Sequence, residues 1–359
     1  MNFSFISYGK AVMTSILKIF WNEKKQYAAE ELREPPESET AFLWPYSAFI
    51  EMICESYKID PSKKDLYIAT LEVVEKYKQT REDGLTAYTA AYGGYEDAYY
   101  DDNGWIVNTF ITAYKTLGGG KWIHKAQEVI KYCYSGWDWK LGGGVYWRES
   151  DKQFKCLCSN APLALFSLEL YKITQNKLYY KRAWKTYKWA KKKFCDTDGL
   201  YLDGMFLDRK LDRTKYPYNT AFMIQLELAL YEFTKDEKYL KSAEFSGHAS
   251  FPYFCSPGAD GKLKLKEFDR PWFYMCLLET YMKLYRISKD KEKYLGYIDF
   301  LANEVVRAYN TCRNEDGFVS PDWWTEGGPA PENIQIRDQS AIAKIMFLLA
   351  AFYKEINLK

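Results

Sequence analysis

One arrangement recurs along the 359 residues. An apolar helical run ends in a tyrosine, a short polar turn follows, and a second run opens with an aromatic. The instances are Tyr57 to Tyr67, Tyr114 to Trp122, Tyr171 to Tyr179, Tyr231 to Tyr239 and Tyr285 to Tyr294. A sixth begins at Tyr353, where the chain ends; the successive spacings are 57, 57, 60, 54 and 68 residues. A period of this size means stacked supersecondary units. Within the third unit Ala161, Ala164, Leu165 and Leu168, and then Tyr180, Ala183, Trp184 and Tyr187, fall on single helical faces. Each unit therefore reads as a helical hairpin. Six such hairpins can close into an all-α (α/α)6 toroid, one domain over residues 1–359, with short β-hairpins in rim loops after turns such as Asp83-Gly84, Gly142-Gly143-Gly144 and Asp198-Gly199. An open solenoid would need polar capping repeats, and none is obvious.

The charge balance, 50 Lys+Arg against 48 Asp+Glu, leaves no basic excess for nucleic acid. No apolar run reaches the ~20 residues of a membrane span. The amphipathic segment from Ala11 to Trp21 reads as a first helix with Val12, Ile16, Ile19 and Phe20 on one side, although a degenerate export signal fits the same residues. With no lipoprotein cysteine after it, the reading leans cytoplasmic. Most of the eight Cys lie in apolar helical runs and are expected as free buried thiols.

In a closed ring the loops leading into the inner helices converge, so function is sought at their starts. These are Phe42–Tyr46 with Trp44, Tyr99–Trp105, Cys158–Pro162, Tyr216–Thr220, Asp269–Trp272 and Arg337–Ser340 with Asp338. Each carries Trp, Tyr, Asn, Asp or Gln, in a chain that is 18% aromatic. Rings with hydroxyl tips suit both sugars and a thick helical core. The sharpest feature is Asp101-Asp102. One reading is helix capping plus a first-turn acid favoured by the dipole. The other is a nucleophile and a general acid/base. Adjacent Cα atoms lie ~3.8 Å apart, so diverging side chains can reach the ~5–5.5 Å carboxyl separation of retaining glycosidases. Mutual repulsion would keep one carboxyl protonated.

Other chemistries find little support. The DDxxD metal spacing fails because Trp105 occupies its last position. His124, in an outer helix, and His248, in a loop, have no metal-site partner spacing. The glycine runs lack a P-loop ending, and there is no GxSxG or Cys–His arrangement. No metal or cofactor is expected.

Tyr100-Asp101-Asp102-Asn103-Gly104-Trp105 resembles the paired-aspartate motif of glycoside hydrolase family 76, the endo-α-1,6-mannanases. Gly142–Trp147 resembles that family's glycine-rich segment ending in an aromatic, Cys158–Leu163 its following Asn-Ala segment, and Tyr216–Thr220 its Tyr-x-Tyr-Asn segment. Ser159 stands where that segment usually carries a basic residue, and Pro162-Leu163 replaces a less constrained pair. The matches run in order from Trp44 to Phe352. The resemblance implies an (α/α)6 enzyme that hydrolyses α-1,6-mannosidic bonds with retention, Asp101 as nucleophile and Asp102 as acid/base. Around them Trp44, Tyr100, Asn103, Trp105, Trp147, Asn160, Tyr218, Asn219, Trp323, Trp324 and Asp338 are the expected substrate contacts. The expected partner is an α-mannan oligo- or polysaccharide, bound by a monomer. Two alternatives stay open: another sugar-active toroid, such as an unsaturated-uronyl hydrolase or an epimerase, and a non-catalytic glycan-binding protein.

Overall fold

The computed structural model describes residues 4–25, 27–32, 40–93, 97–265 and 270–357; Asp269 lies outside them. The described residues carry twelve α-helices, α1 Phe5–Ile19, α2 Leu43–Ile59, α3 Lys64–Val73, α4 Tyr100–Leu117, α5 Gly120–Ser135, α6 Leu157–Thr174, α7 Lys177–Phe194, α8 Pro217–Thr234, α9 Glu237–Phe254, α10 Pro271–Ile287, α11 Lys291–Thr311 and α12 Ile336–Asn357. The starts of α2, α4, α6, α8, α10 and α12 coincide with the six helix starts read from the sequence. Among the described residues no helix is long and apolar enough to cross a membrane. All eight cysteines are free thiols, six buried and Cys158 and Cys195 partly exposed. His248 lies within α9 rather than in a loop.

The helices fall into two compact units. One comprises residues 1–75 and 251–359, the other residues 76–250. In the first, α2 pairs with α3, α10 with α11, and α12 with α1. The hairpin that Tyr353 begins is thus completed by the N-terminal helix. Phe5 stacks on Tyr353 at 5.6 Å, much as Tyr57 stacks on Tyr67 at 5.8 Å. Val12, Ile16 and Phe20 are buried, so the apolar stripe of α1 is a packing face. In the second unit α4 pairs with α5 and α6 with α7, and α6 packs between α4 and α8. The inner helices are apolar nearly all round. In α8 every residue from Asn219 to Leu230 is buried. Their outer partners bury one stripe; α7 covers Tyr179, Ala183, Tyr187 and Ala190, and of its C-terminal lysines Lys191 turns in to pair with the buried Glu227 at 3.0 Å.

Sheet structure is confined to small pieces: β1 Trp21–Asn22, β2 Tyr27–Ala28, β3 Lys78–Thr80, β4 Thr86–Tyr88, β5 Phe154–Cys156, β6 Gly204–Phe206 and β7 Leu211–Asp212. Antiparallel pairing joins β1 to β2, β3 to β4, and β5–β6–β7 in that order. Beside these lie single bridges, Trp137 to Val145, Cys195 to Tyr201 and Arg313 to Val319.

A repeated side-chain device ties these hairpins to the inner helices. Asn103 in α4 accepts from Tyr88 N–H and donates to Tyr88 C=O, each at 2.8 Å. Asn160 in α6 does the same to Val145, both at 2.8 Å. Gln339 in α12 does it to Val319 at 3.0 and 2.8 Å. In α8 the place is taken by Thr220, whose hydroxyl accepts from Tyr201 N–H at 3.3 Å. Each gripped residue is the last in its hairpin pairing. The second amide protons of Asn103 and Asn160 go to Tyr99 C=O and Cys156 C=O, both at 2.8 Å. Asn103 and Asn160 are fully buried with both donors engaged. The expectation that they contact substrate is therefore corrected: they hold the frame. Their loss would strand a buried N–H and C=O. We expect Asn160→Ala to lower unfolding stability by about 2–4 kcal/mol, read from denaturant midpoints, with Asn160→Asp only partly restoring it.

Candidate active site

Helix α4 begins with an extended residue, Tyr99, so Asp101 and Asp102 occupy its first turn and neither is the cap. Three contacts fix that turn: the Asn103 clamp, the Tyr99 bridge to Arg148, and Tyr100 N–H donating to Trp147 C=O at 2.8 Å. The loop bearing Trp147 follows the glycine run. Gly144 has φ +88°, and a Cβ there would lie 2.3 Å from the Trp189 ring, so only glycine fits.

Trp147 Nε1 donates to Asp101 Oδ2 at 3.0 Å, and Cys158 Sγ lies 3.4 Å from the same oxygen as a second donor. Asp101 Oδ1 is buried without a hydrogen-bond partner. An unsatisfied buried carboxylate oxygen calls for an explanation, and beside a second carboxyl a reacting group is one. Asp102, on the next residue, is half-buried. Asn219 donates to Asp203 Oδ1 at 2.8 Å and keeps its own carbonyl oxygen unpartnered.

Electrostatics separates the two aspartates. A helix N-terminus normally lowers a first-turn carboxyl. Here desolvation wins. It pushes Asp101 up to about 6, against the opposing pull of Cys158 and Trp147. Asp102 rises well above its ordinary value through desolvation and then the charge of Asp101, with no donor opposing the shift. The two carboxyls titrate as a pair, and the donors on Asp101 favour placing the charge there and the proton on Asp102. Asp203, pushed up to about 6 chiefly by desolvation, also feels the charge of Asp101. It was not singled out from the sequence; the available signal was a third acid in Leu200-Tyr201-Leu202-Asp203, directly after a turn whose counterpart carries Trp147.

Trp147 and Tyr218 remain at the carboxylates. Trp147 is 39% exposed. Tyr218 is half-buried, and its phenol is pushed well above its ordinary value, first by desolvation and then by Cys158 and the acids. Others prove to be core. Tyr100 is buried and stacked on Tyr132 at 5.2 Å. Trp105 is buried edge-on between Phe166 and Phe222, at 5.6 and 5.1 Å. Neither presents a face to a sugar, which corrects the expectation for both.

Trp44, Trp323, Trp324 and Asp338 belong to the other unit. Trp44 lies edge-on to Trp272 at 5.4 Å, with the Arg337 guanidinium 4.7 Å from its ring centre. Asp338 is fully buried and ion-paired to Arg337 at 3.0 Å and Arg270 at 3.5 Å, which ties its carboxylate to two arginines although its Oδ2 accepts no hydrogen bond. Trp323 is buried against Tyr274 and not open to stacking; Trp324 is 38% exposed. A 630 Å³ cavity in this unit is lined by Lys264, Arg270, Asp322 and Asn333 among others. Among the described residues no three His, Cys, Asp or Glu are placed to hold a metal ion.

The profile of glycosyl hydrolase family 76 matches residues 5–353. The chain belongs to glycosyl hydrolase family 76. It is a glycoside hydrolase. No curated protein matches the sequence. Among solved structures, a family-76 α-mannanase of Bacteroides thetaiotaomicron is 24% identical, with 100% of this chain and 98% of that one covered and a TM-score of 0.87. An inactive variant of the α-1,6-mannanase GH76A of Salegentibacter sp. HEL1_6, with two consecutive aspartates replaced by asparagine, is in complex with α-1,6-mannotriose; it is 19% identical, with 97% and 100% covered and a TM-score of 0.81. A D-mannose isomerase is 12% identical, with 98% of each chain covered and a TM-score of 0.73. These likenesses show the fold class, an all-α (α/α)6 toroid of six helical hairpins. That an isomerase shares it means the fold alone does not choose the reaction; the family does.

Raised carboxyl pKa values also bear on stability. The folded chain binds more protons than the unfolded chain wherever the folded pKa is the higher. The contribution of these groups is then largest below their ordinary range, near pH 4, and declines as pH rises toward about 6 for Asp101. Asp101→Asn and Asp102→Asn should each raise the melting temperature at pH 7 and flatten its fall between pH 4 and 7, measured by scanning calorimetry. Equal or lower melting temperatures at pH 7 would contradict the electrostatic description.

Proposed function

We propose that this chain hydrolyses α-1,6-mannosidic bonds in mannan with retention of anomeric configuration. Asp101 attacks the anomeric carbon to form a glycosyl ester as Asp102 donates its proton to the departing oxygen. Asp102 then takes a proton from water, which attacks the ester and frees Asp101. The observation that carries the assignment is the division of donors between adjacent acids. Asp101 has the Trp147 indole, the Cys158 thiol and backbone N–H groups of the helix start favouring its charged form, and an Oδ1 without a hydrogen-bond partner, while no donor favours the charged form of Asp102. Pairs pushed apart in this way mark nucleophile and acid. The substrate class draws support from the Salegentibacter enzyme, inactivated at two consecutive aspartates and holding α-1,6-mannotriose; Asp101-Asp102 is the single such doublet in this chain. We read residues 1–359 as one catalytic domain acting as a monomer. Trp147, Tyr218 and Asn219 are its proposed substrate contacts beside the acids, and Trp44 and Trp324 are proposed contacts in the other unit.

The roles separate under mutation. Asp101→Ala should abolish turnover on every substrate. Asp102→Ala should lose mannan hydrolysis by about 10³-fold or more yet keep much of its first step on a substrate with an acidic phenol leaving group. Added azide should then yield a glycosyl azide of retained configuration. Two alanine variants with wild-type activity would end the catalytic reading. Separately, Trp324→Ala should weaken manno-oligosaccharide binding about three- to tenfold in calorimetry with an unchanged melting temperature; a large loss of stability would make the ring a packing element.

A further inference from the structure

Asp101 shares its surroundings with acids and weak acids whose own ionisation its charge opposes. Asp102 adjoins it on α4, Cys133 faces it from α5, Asp203 from the segment before β6, and Tyr218 from α8. Cys158 at the start of α6 and Trp147 complete the set, and no cation is among them. The carboxylate therefore depends on neutral donors, and two reach Oδ2: the Trp147 indole at 3.0 Å and the Cys158 thiol at 3.4 Å. The sulfur is held in place. Leu157 N–H donates to Asp203 C=O at 2.7 Å, and Asn160 locks the same turn to Val145.

Behind it sits a second thiol. Cys156 is buried, with its sulfur 3.1 Å from Cys158 Sγ and 3.2 Å from Ser159 Oγ. A thiol has one proton to give. The carboxylate is the strongest acceptor in reach of Cys158, so its proton points to Asp101. The Cys156 proton is then free to reinforce the Cys158 sulfur or to bond Ser159.

We propose that Cys158 is a positioning residue for Asp101: its thiol, backed by Cys156, donates to Oδ2 and fixes the carboxylate with Oδ1 left for the reaction. This inference rests on the reading of Asp101 as the reacting carboxylate. The thiol is suited to the task. It is pushed well above its ordinary pKa, first by its contact with Cys156 and then by desolvation, so it stays a neutral donor over the working range.

The test compares wild type, Cys158→Ala and Cys158→Ser under reducing conditions, with kcat/KM on linear α-1,6-mannan followed across pH. Alanine removes a hydrogen bond to the charged form, so the acidic limb should move up by about half a unit or more. Serine, a stronger donor of similar size, should return it to or below the wild-type position. An unmoved limb in Cys158→Ala, or a serine variant that folds normally but behaves like alanine, would overturn the proposal. A second arm needs no turnover. The pH at which iodoacetamide labels Cys158, read by peptide mass spectrometry, should fall in Asp101→Asn, because the thiolate no longer forms beside an anion. An unchanged labelling profile would again overturn the proposal. Wild type that fails to cleave mannan while the labelling shift is present would instead remove the substrate reading and leave the thiol–carboxylate contact standing.

Discussion

The grip of a buried carboxamide on one upstream residue sets the geometry of this fold where it matters. Asn103 binds both polar backbone groups of Tyr88, and Asn160 both of Val145. An amide matches a peptide's donor and acceptor at once, which hydroxyls and carboxylates do not. Each clamp welds the first turn of an inner helix to the end of a small hairpin. The first fixes the turn that carries Asp101 and Asp102. The second fixes the turn that carries Cys158 and the loop that carries Trp147. Both donors to Asp101 Oδ2 therefore come from segments locked by the second clamp, while the acceptor comes from the first. Gln339 and Val319 repeat the device in the other unit, so it is a property of the repeat that the site uses.

Onto that frame the chain places a local conflict. Two adjacent carboxyls, with Asp203 facing Asp101, are partly withdrawn from water, and no cation is among the described groups acting on Asp101. A helix N-terminus offers them modest relief, and desolvation outweighs it. The unequal supply of donors to the two carboxyls is the kind of asymmetry that acid/base and nucleophilic roles require of a pair. The same conflict opposes folding, which is the usual relation between stability and an active site.

Much of this was legible in the sequence because it is periodic. The tyrosine-turn-aromatic repeat locates every hairpin, and the six inner-helix starts fall where the polar and aromatic clusters lie. Trp147 was legible as an aromatic closing the glycine run, but its hydrogen bond to Asp101 was not. Other residues misled for a physical reason: sequence gives residue type but not the side of the helix. Trp105 and Trp323 are as aromatic as Trp147 and Trp324, yet they pack inward. Asn103 and Asn160 look like sugar ligands, because a buried amide clamp and a hydroxyl ligand use the same side chain. The closing of the last hairpin by α1 was out of reach of a linear repeat count, since its two helices are the ends of the chain. Asp203 became visible only when Asn219 and Asp101 were seen beside it.

The proposed roles of Asp101 and Asp102, nucleophile and acid on an α-1,6-linked mannan, fix the configuration of the product. Their most direct test is proton NMR of the wild-type reaction on linear α-1,6-mannan, watching the anomeric signals of newly formed reducing ends before mutarotation. With retention the α-anomer should appear first and the β-anomer grow in later. First appearance of the β-anomer would mean single displacement by water and would contradict the covalent role given to Asp101.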